Sequence, residues 1–234
     1  MKSVLSQEAK EILTRISKDR ARTNLFKNPE QKALAFLVQR IPSWVQSDML
    51  TLTGFIGSLI TLSSFILAAY ISRYYLLLGI AGFTVNWFGD SLDGRLAYFR
   101  NKPRKWYGFS LDLIVDWLST ILIGSGYIIY AEGLWKIAGF GFVTMYGWAM
   151  IIAVVRYKVT GKYTIDSGLF GPTEVRIIII AIMVAEIFFR NAILYFAAIV
   201  AGILFLVNIF DTYRLLGVAA ERDKSEREKH EGNT

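Results

Sequence analysis

Four aspartates at the edges of two apolar segments are the residues of this chain whose type and spacing could do chemistry. Asp90 and Asp93 close one apolar segment at spacing i, i+3, and Asp112 and Asp116 lie in the next at spacing i, i+4. Residues three or four apart share a face of a helix, so each pair presents its carboxylates together. An ionised aspartate at the centre of a membrane helix costs roughly 2.5–3.5 kcal/mol, and somewhat less near the ends. Four such residues on neighbouring helices therefore need cations.

Carboxylates are the oxygen ligands that hard divalent cations such as Mg²⁺ take, commonly together with a substrate phosphate. Two such ions a few ångströms apart clamp a phosphoryl group and orient its attacking and leaving oxygens. All four aspartates are thus predicted metal ligands. Small residues interleaved with them leave room for a ligand against the backbone: Gly94, Ala97 and Gly108. The simpler interpretation, in which aspartates only pair with neighbouring arginines at the membrane surface, suits one such residue better than four.

The elements that must position these residues are membrane helices. Of the 234 residues, 54% are hydrophobic and 19% are charged, with a mean hydropathy of +0.41, whereas soluble domains average about 45–50% apolar and 25% charged. A membrane helix needs about 20 mostly apolar residues. Six segments qualify, at 51–72, 74–90, 108–131, 134–155, 173–189 and 192–213. The predicted fold class is an all-α integral membrane protein with six transmembrane helices and an N-terminal amphipathic juxtamembrane helix.

Several chemistries are excluded by composition. The chain has no cysteine, and its single histidine, His230, lies in the polar tail. Disulfides, thiolate metal sites, Fe–S clusters and catalysis by cysteine or histidine are therefore ruled out. The net charge of +7 is that of a basic membrane protein, and no nucleic-acid partner is expected.

Lys and Arg are distributed unevenly about the six segments, with 22 on one side and 3 on the other, and with Arg176 just inside the fifth. The positive-inside rule then places both termini and the aspartates on the cytoplasmic side of a cytoplasmic-type (inner) membrane. No signal peptide is seen at the N-terminus. Three regions are predicted: a cytoplasmic arm at 1–47, a six-helix membrane domain at 48–217 and a charged cytoplasmic tail at 218–234.

Within the arm, residues 5–21 are expected to form a solvated helix. Residues 30–41 are expected to form a helix in the headgroup region, with an apolar face of Ala33, Phe36, Leu37 and Ile41. The alternative is a soluble arm that packs on the cytoplasmic face of the membrane domain.

The stretch DSLDGRLAYFRNKPRKWYGFSLDLIVD, residues 90–116, resembles the signature of the CDP-alcohol phosphotransferases, D-x2-D-G-x2-A-R-x8/9-G-x3-D-x3-D. Seven of its eight defined positions match, namely Asp90, Asp93, Gly94, Ala97, Gly108, Asp112 and Asp116. Tyr98 stands where the family has arginine, and Arg100 is the candidate to take over part of that role. The likeness extends over most of residues 30–215, but 90–116 carries nearly all of its specificity.

The resemblance implies a phospholipid-synthesis transferase. Such enzymes move a phosphatidyl group from a CDP-linked lipid donor, usually CDP-diacylglycerol, to an alcohol acceptor and release CMP. The four aspartates would hold two divalent cations, Mg²⁺ or Mn²⁺, and Asp116 would also take the proton of the acceptor hydroxyl. The resemblance implies five donor-binding residues: Asp90, Gly94, Ala97, Gly108 and Arg100. A homodimer in contact with membrane lipid is the family expectation.

Four basic residues near the fourth and fifth segments are candidates to bind a phosphate on the acceptor: Arg156, Lys158, Lys162 and Arg176. The positive-inside bias accounts for them equally well. Glu174 and Asp211 are expected to pair with Arg176 and Arg214. Glu186 lies deep in the fifth segment, and its sequence context assigns it no partner.

Two other functions remain open at this stage. One is an ion-coupled transporter, in which membrane acids relay protons or bind cations. The acids cluster at one end rather than near the midplane, and no inverted repeat is apparent, which disfavours it. The other is a catalytically inactive relative of the transferases, which the tyrosine at position 98 suggests and the four retained aspartates disfavour.

Overall fold

The structure, a computed structural model, describes residues 27–161 and 172–231. The helix predicted at 5–21 and the candidate Lys162 lie outside these residues. All regular structure in the described ranges is helical, which confirms the all-α class. The α-helices are α1 (Lys27–Val38), α2 (Ser47–Tyr70), α3 (Leu76–Phe99), α4 (Lys105–Tyr130), α5 (Lys136–Thr160), α6 (Pro172–Phe188) and α7 (Ala192–Glu231), with 3₁₀ turns at Arg73–Tyr75 and Gly133–Trp135.

Four helices are long and apolar enough to cross a membrane: α2, α4, α5 with its preceding turn, and α7. Only 39%, 28%, 11% and 17% of their most apolar stretches, respectively, are buried inside the protein. Such large apolar surfaces need lipid rather than water around them, which indicates a membrane protein. The expectation of six spans is not confirmed, because α6 has only 17 residues and the second half of α3 carries Asp90, Asp93 and Arg95.

One predicted boundary is wrong. Helix α3 continues to Phe99, two turns beyond the predicted end, so the loop expected at 91–107 contracts to 100–104. Helix α3 ends just before Asn101, which adopts a positive φ of 55°. Pro103 follows, and proline is common shortly after a helix C-terminus. Helix α7 runs unbroken to Glu231, and the predicted charged tail begins within this helix.

Helices α2 and α3 form the most extensive contact in the described structure, and they approach closely through glycines. A Cβ built on Gly57 would lie 2.6 Å from the carbonyl oxygen of Gly82, and one on Gly89 would lie 2.7 Å from the Cα of Gly54. Asn86 donates from Nδ2 to the carbonyl oxygen of Gly54 at 3.1 Å. Small residues and interhelical hydrogen bonds are the usual means of helix association in membranes. They fix the rotation of α3, and with it the directions of the aspartates that α3 carries.

Helix α1 packs on the end of α3 that carries the acids. Leu34 and Val38 are buried against Leu92 and Leu96 in one apolar cluster. This buried face differs from the apolar face predicted to lie in the headgroup region, whose Phe36 is 54% exposed. The side chains at 34 and 38 are one helical turn apart and meet a matching pair on α3. The predicted amphipathic interfacial helix is accordingly not confirmed.

Glu186, which had no assigned partner, lies near the C-terminal end of α6 and is almost fully buried. Its carboxylate accepts hydrogen bonds from the hydroxyl of Tyr130 at 2.7 Å and from the backbone N–H groups of Asn191 at 3.1 Å and Ile193 at 2.9 Å. The first N–H groups of a helix have no partner within that helix. Glu186 therefore joins α6, α4 and the start of α7 at the end of the bundle opposite the aspartates.

Replacing Glu186 by alanine is expected to lower the free energy of unfolding by about 3 kcal/mol, because it leaves several buried donors without an acceptor. Glu186→Gln keeps one acceptor oxygen and is expected to lose less. The measurement is thermal or denaturant unfolding of the purified protein in detergent. Glu132→Ala is the control, since Glu132 is exposed near the same end. Equal stability of the two alanine variants would contradict the assigned role.

Candidate metal centre

Three of the four predicted aspartates come together. Asp90 on α3 and Asp112 and Asp116 on α4 each offer a carboxylate oxygen, and these oxygens all lie within 4.8 Å of one another. All three side chains are partly buried. The i, i+4 spacing of Asp112 and Asp116 places both on one face of α4, and Asp90 faces them from α3.

The acids meet across a gap rather than along a packed helix pair. Helices α3 and α4 are joined by a short loop, yet their backbones approach each other closely at few points, while α2 packs closely against both. Because α2 occupies the position beside each of them, the two acid-bearing helices stand apart. The carboxylates consequently line a space instead of being buried against a helix backbone.

Asp93 is not part of this group. It is buried, its Oδ2 accepts a hydrogen bond from Thr51 Oγ1 at 2.7 Å, and its Oδ1 accepts one from the backbone N–H of Gly94. Asp93 lies three residues beyond Asp90, but the close packing of α3 on α2 turns its carboxylate toward α2. Of the four predicted metal ligands, three therefore have carboxylates that face the gap, and the fourth, Asp93, is hydrogen-bonded to α2.

Arg176 of α6 supplies a positive charge to the three carboxylates. Its Nη2 lies 2.7 Å from Asp90 Oδ2, and the two side chains are only 15% and 21% exposed. A partly buried ion pair is screened by solvent much less than an exposed one. Arg176 was expected to pair with Glu174 and to bind an acceptor phosphate, whereas the structure pairs it with a predicted metal ligand.

A cavity of about 50 Å³ adjoins the centre. Asp116 and Arg176 form part of its wall, and the rest comes from α3, α4, α5 and α6. Its polar lining residues are Asn86, Asp116, Ser119, Thr120, Tyr146 and Arg176. The predicted base, Asp116, is therefore in direct contact with the cavity.

The predicted donor-binding residues lie in different surroundings in the structure. Gly94 and Ala97 are partly buried on α3. Gly108 has open space around it, with nothing within 4 Å of a built Cβ, so a close backbone approach is not required there. Arg100 donates to the carbonyl oxygens of Pro42 at 2.7 Å and of Val45. These hydrogen bonds link the segment between α1 and α2 to the end of α3.

The other acceptor candidates do not gather at the centre. Arg156 pairs with Asp211 of α7 at 3.5 Å, which replaces the expected pair of Asp211 with Arg214. Lys158 is exposed on the last turn of α5. Of the candidates within the described ranges, only Arg176 touches the aspartate group.

Sequence analysis assigned no role to Ser119 and did not predict the pairing of Arg176 with Asp90. Ser119 carried no signal, because hydroxyl residues are common in membrane helices. Arg176 carried one: an arginine inside an apolar helix needs a carboxylate or carbonyl partner. The sequence offered several carboxylates, and only the packing of α6 on α3 selects among them.

The chain was compared with known proteins in two ways. No protein-family model matches it, and no curated protein matches it in sequence. The resemblance to the CDP-alcohol phosphotransferases therefore rests on the spacing of residues 90–116.

Proposed function

We propose that this protein transfers a phosphatidyl or similarly substituted phosphoryl group from a CDP-linked lipid, such as CDP-diacylglycerol, to an alcohol and releases CMP. The observation that carries the proposal is the convergence of Asp90, Asp112 and Asp116 across the gap between α3 and α4. These are residues of a signature whose spacing already matched at seven of eight positions.

The three carboxylates suit a hard divalent cation, Mg²⁺ or Mn²⁺. They supply only oxygen ligands, they lie close enough to share one ion, and they are partly rather than fully buried, which leaves access from solvent. Such an ion neutralises the charge that develops on a transferring phosphoryl group. A second ion would need further ligands, and Asp93 is hydrogen-bonded to Thr51, so the pair of cations stays a prediction.

Asp116 is the proposed general base. It belongs to the carboxylate group and also lines the cavity, so an acceptor hydroxyl in that cavity lies beside it. The acceptor oxygen forms a bond to the β-phosphorus of the donor, its proton passes to the Asp116 carboxylate, and the bond from that phosphorus to the CMP oxygen breaks. Asp90 and Asp112 are proposed to hold the cation against the donor pyrophosphate.

The surroundings of the centre suit a lipid donor. Exposed apolar side chains cover the outer faces of the membrane helices, so acyl chains can remain in lipid while the charged head reaches the acids. Basic residues lie at the same end, among them Arg100 and Arg104 in the short loop. We place this end on the cytoplasmic side of an inner membrane and count α3 and α6 among six spans. A homodimer remains a prediction.

The proposed topology is tested with single cysteines in this cysteine-free chain. Cysteine at Lys102, in the exposed loop between α3 and α4, is expected to react only with reagent on the cytoplasmic side. Cysteine at Leu134, which is 83% exposed in the turn before α5, is expected to react only from outside. The measurement is labelling of intact and permeabilised cells with a membrane-impermeant maleimide. Labelling of both positions from one side would contradict the topology.

The activity itself is tested with the purified full chain in lipid nanodiscs. CDP-diacylglycerol is supplied with Mg²⁺ or Mn²⁺ and a panel of alcohols, and CMP and lipid products are measured. We expect CMP release that depends on both the cation and an alcohol. Asp112→Asn is expected to be inactive, whereas Asp48→Asn, at an acid that forms an exposed ion pair with Arg104, is expected to retain activity. No CMP with any alcohol would refute the proposal.

A further inference from the structure

The cavity beside Asp116 contains one polar group whose hydrogen bonds are not made. Ser119 is 5% exposed and lines the cavity, yet its Oγ has no hydrogen-bond partner among the described residues. Its neighbour Thr120 donates to the carbonyl oxygen of Asp116 at 2.9 Å, and Asn86 donates to α2. A buried hydroxyl without a partner is costly, so its presence indicates that something else completes it.

Ser119 and Asp116 are three residues apart on α4, which places their side chains on the same helix face about 5–6 Å apart at Cβ. A single hydroxyl group between them can touch both. The cavity, of about 50 Å³, has room for a small polar group. A hydroxymethyl group, with one carbon and one oxygen, is of this size.

We propose that this cavity receives the reacting –CH₂OH end of the acceptor, and that Ser119 is the residue that selects it. The inference rests on the proposed transferase function and adds the acceptor class, a primary alcohol. Ser119 Oγ hydrogen-bonds the reacting hydroxyl while Asp116 accepts its proton. A secondary alcohol such as a cyclitol carries two carbon substituents at the reacting carbon and is therefore bulkier at the end that enters the cavity.

The charges of the site agree with this class. Among the residues that the structure describes, Arg176 is the cationic side chain that lines the cavity, and it is paired with Asp90. The cavity therefore offers the reacting end hydroxyl and carboxylate groups rather than a free positive charge. An uncharged hydroxymethyl group suits such a lining.

The first test compares acceptors on the wild-type protein in nanodiscs with CDP-diacylglycerol and Mn²⁺. Serine and threonine form a matched pair that differs by one methyl group at the reacting carbon, and glycerol is compared with myo-inositol. We expect kcat/KM for CMP release at least about tenfold higher for the primary alcohol of each pair, the range for one misfitting methylene-sized group. Equal use of secondary alcohols would overturn the inference and leave the transferase function standing. No CMP release with any acceptor would refute both.

The second test examines whether Ser119 binds the acceptor. Ser119→Ala is expected to raise the acceptor KM about three- to tenfold, the loss of one hydrogen bond, with no change in the KM of the donor. Ser119→Val fills the cavity and is expected to abolish transfer while donor binding persists. Thr212→Val is the matched control, because Thr212 Oγ1 is the other buried hydroxyl without a partner in the described residues and does not line this cavity.

A readout independent of turnover completes the experiment. An acceptor that binds the folded protein raises its unfolding temperature, so glycerol or serine is expected to raise the midpoint for wild type more than for Ser119→Val. An unchanged acceptor KM in Ser119→Ala, with no acceptor-dependent stabilisation of wild type, would show that the cavity holds only water and would overturn the inference.

Discussion

Replacing Asp116 by asparagine is expected to lower turnover by about 10²- to 10⁴-fold, the range for removal of a general base. The substitution keeps the size of the side chain and one ligand oxygen, but it removes the proton acceptor. Asp116 is the one member of the carboxylate group that also lines the cavity. Binding of CDP-diacylglycerol in the presence of metal is expected to persist. The measurements are the CMP release rate and the affinity for the nucleotide donor.

Two comparisons make this result specific. Mn²⁺ binding to Asp116→Asn is measured directly, so that a loss of metal is not mistaken for the loss of a base. Asp48→Asn serves as the control for removal of a negative charge at the same end of the bundle, since Asp48 forms an exposed ion pair with the loop residue Arg104 and is not part of the carboxylate group. Turnover above about a tenth of wild type in a metal-loaded Asp116→Asn protein would show that another group takes the proton.

Removal of divalent metal is expected to abolish CMP release altogether, and Mg²⁺ or Mn²⁺ is expected to restore it. The reason is that the three carboxylates repel a pyrophosphate unless a divalent cation lies between them, and the described arginine that contacts them is paired with Asp90. The measurement is turnover after dialysis against a chelator, followed by titration with each metal. Turnover that survives exhaustive chelation would contradict the proposed centre.

The ligands are tested by substitution under the same conditions. Asp90→Asn and Asp112→Asn are each expected to weaken Mn²⁺ binding, which is followed by paramagnetic resonance of the free ion. Retention of wild-type affinity in both variants would place the metal elsewhere.

The sequence predicted a good part of this site because helical periodicity is local. The spacing of Asp112 and Asp116 determines that they share a face of α4 once the helix forms. The apolar runs likewise predicted α2, α4 and α5 to within a few residues, apart from the later end of α5 at Thr160. The end of α3 was predicted too early because charged residues were taken to mark the membrane surface, whereas the helix continues until the left-handed residue Asn101.

The rest depended on how the helices pack. Asp93 and Asp90 have the same residue type and lie one turn apart, yet the glycine contact between α2 and α3 turns one toward Thr51 and leaves the other facing α4. No local pattern distinguishes them, because the difference arises from a neighbouring helix more than thirty residues away in the chain.

By itself, the sequence determined that the chain is helical and apolar enough for a membrane, and that four aspartates lie near one end of two helices. Only the tertiary structure decided which three carboxylates meet, that Arg176 pairs with Asp90, and that a small cavity with an unsatisfied serine lies beside Asp116. The physical reason is the distance along the chain over which each interaction acts. Helix formation and the sharing of a helix face follow from residues three or four apart, whereas a gap between helices and the partner of a buried charge depend on packing between distant segments.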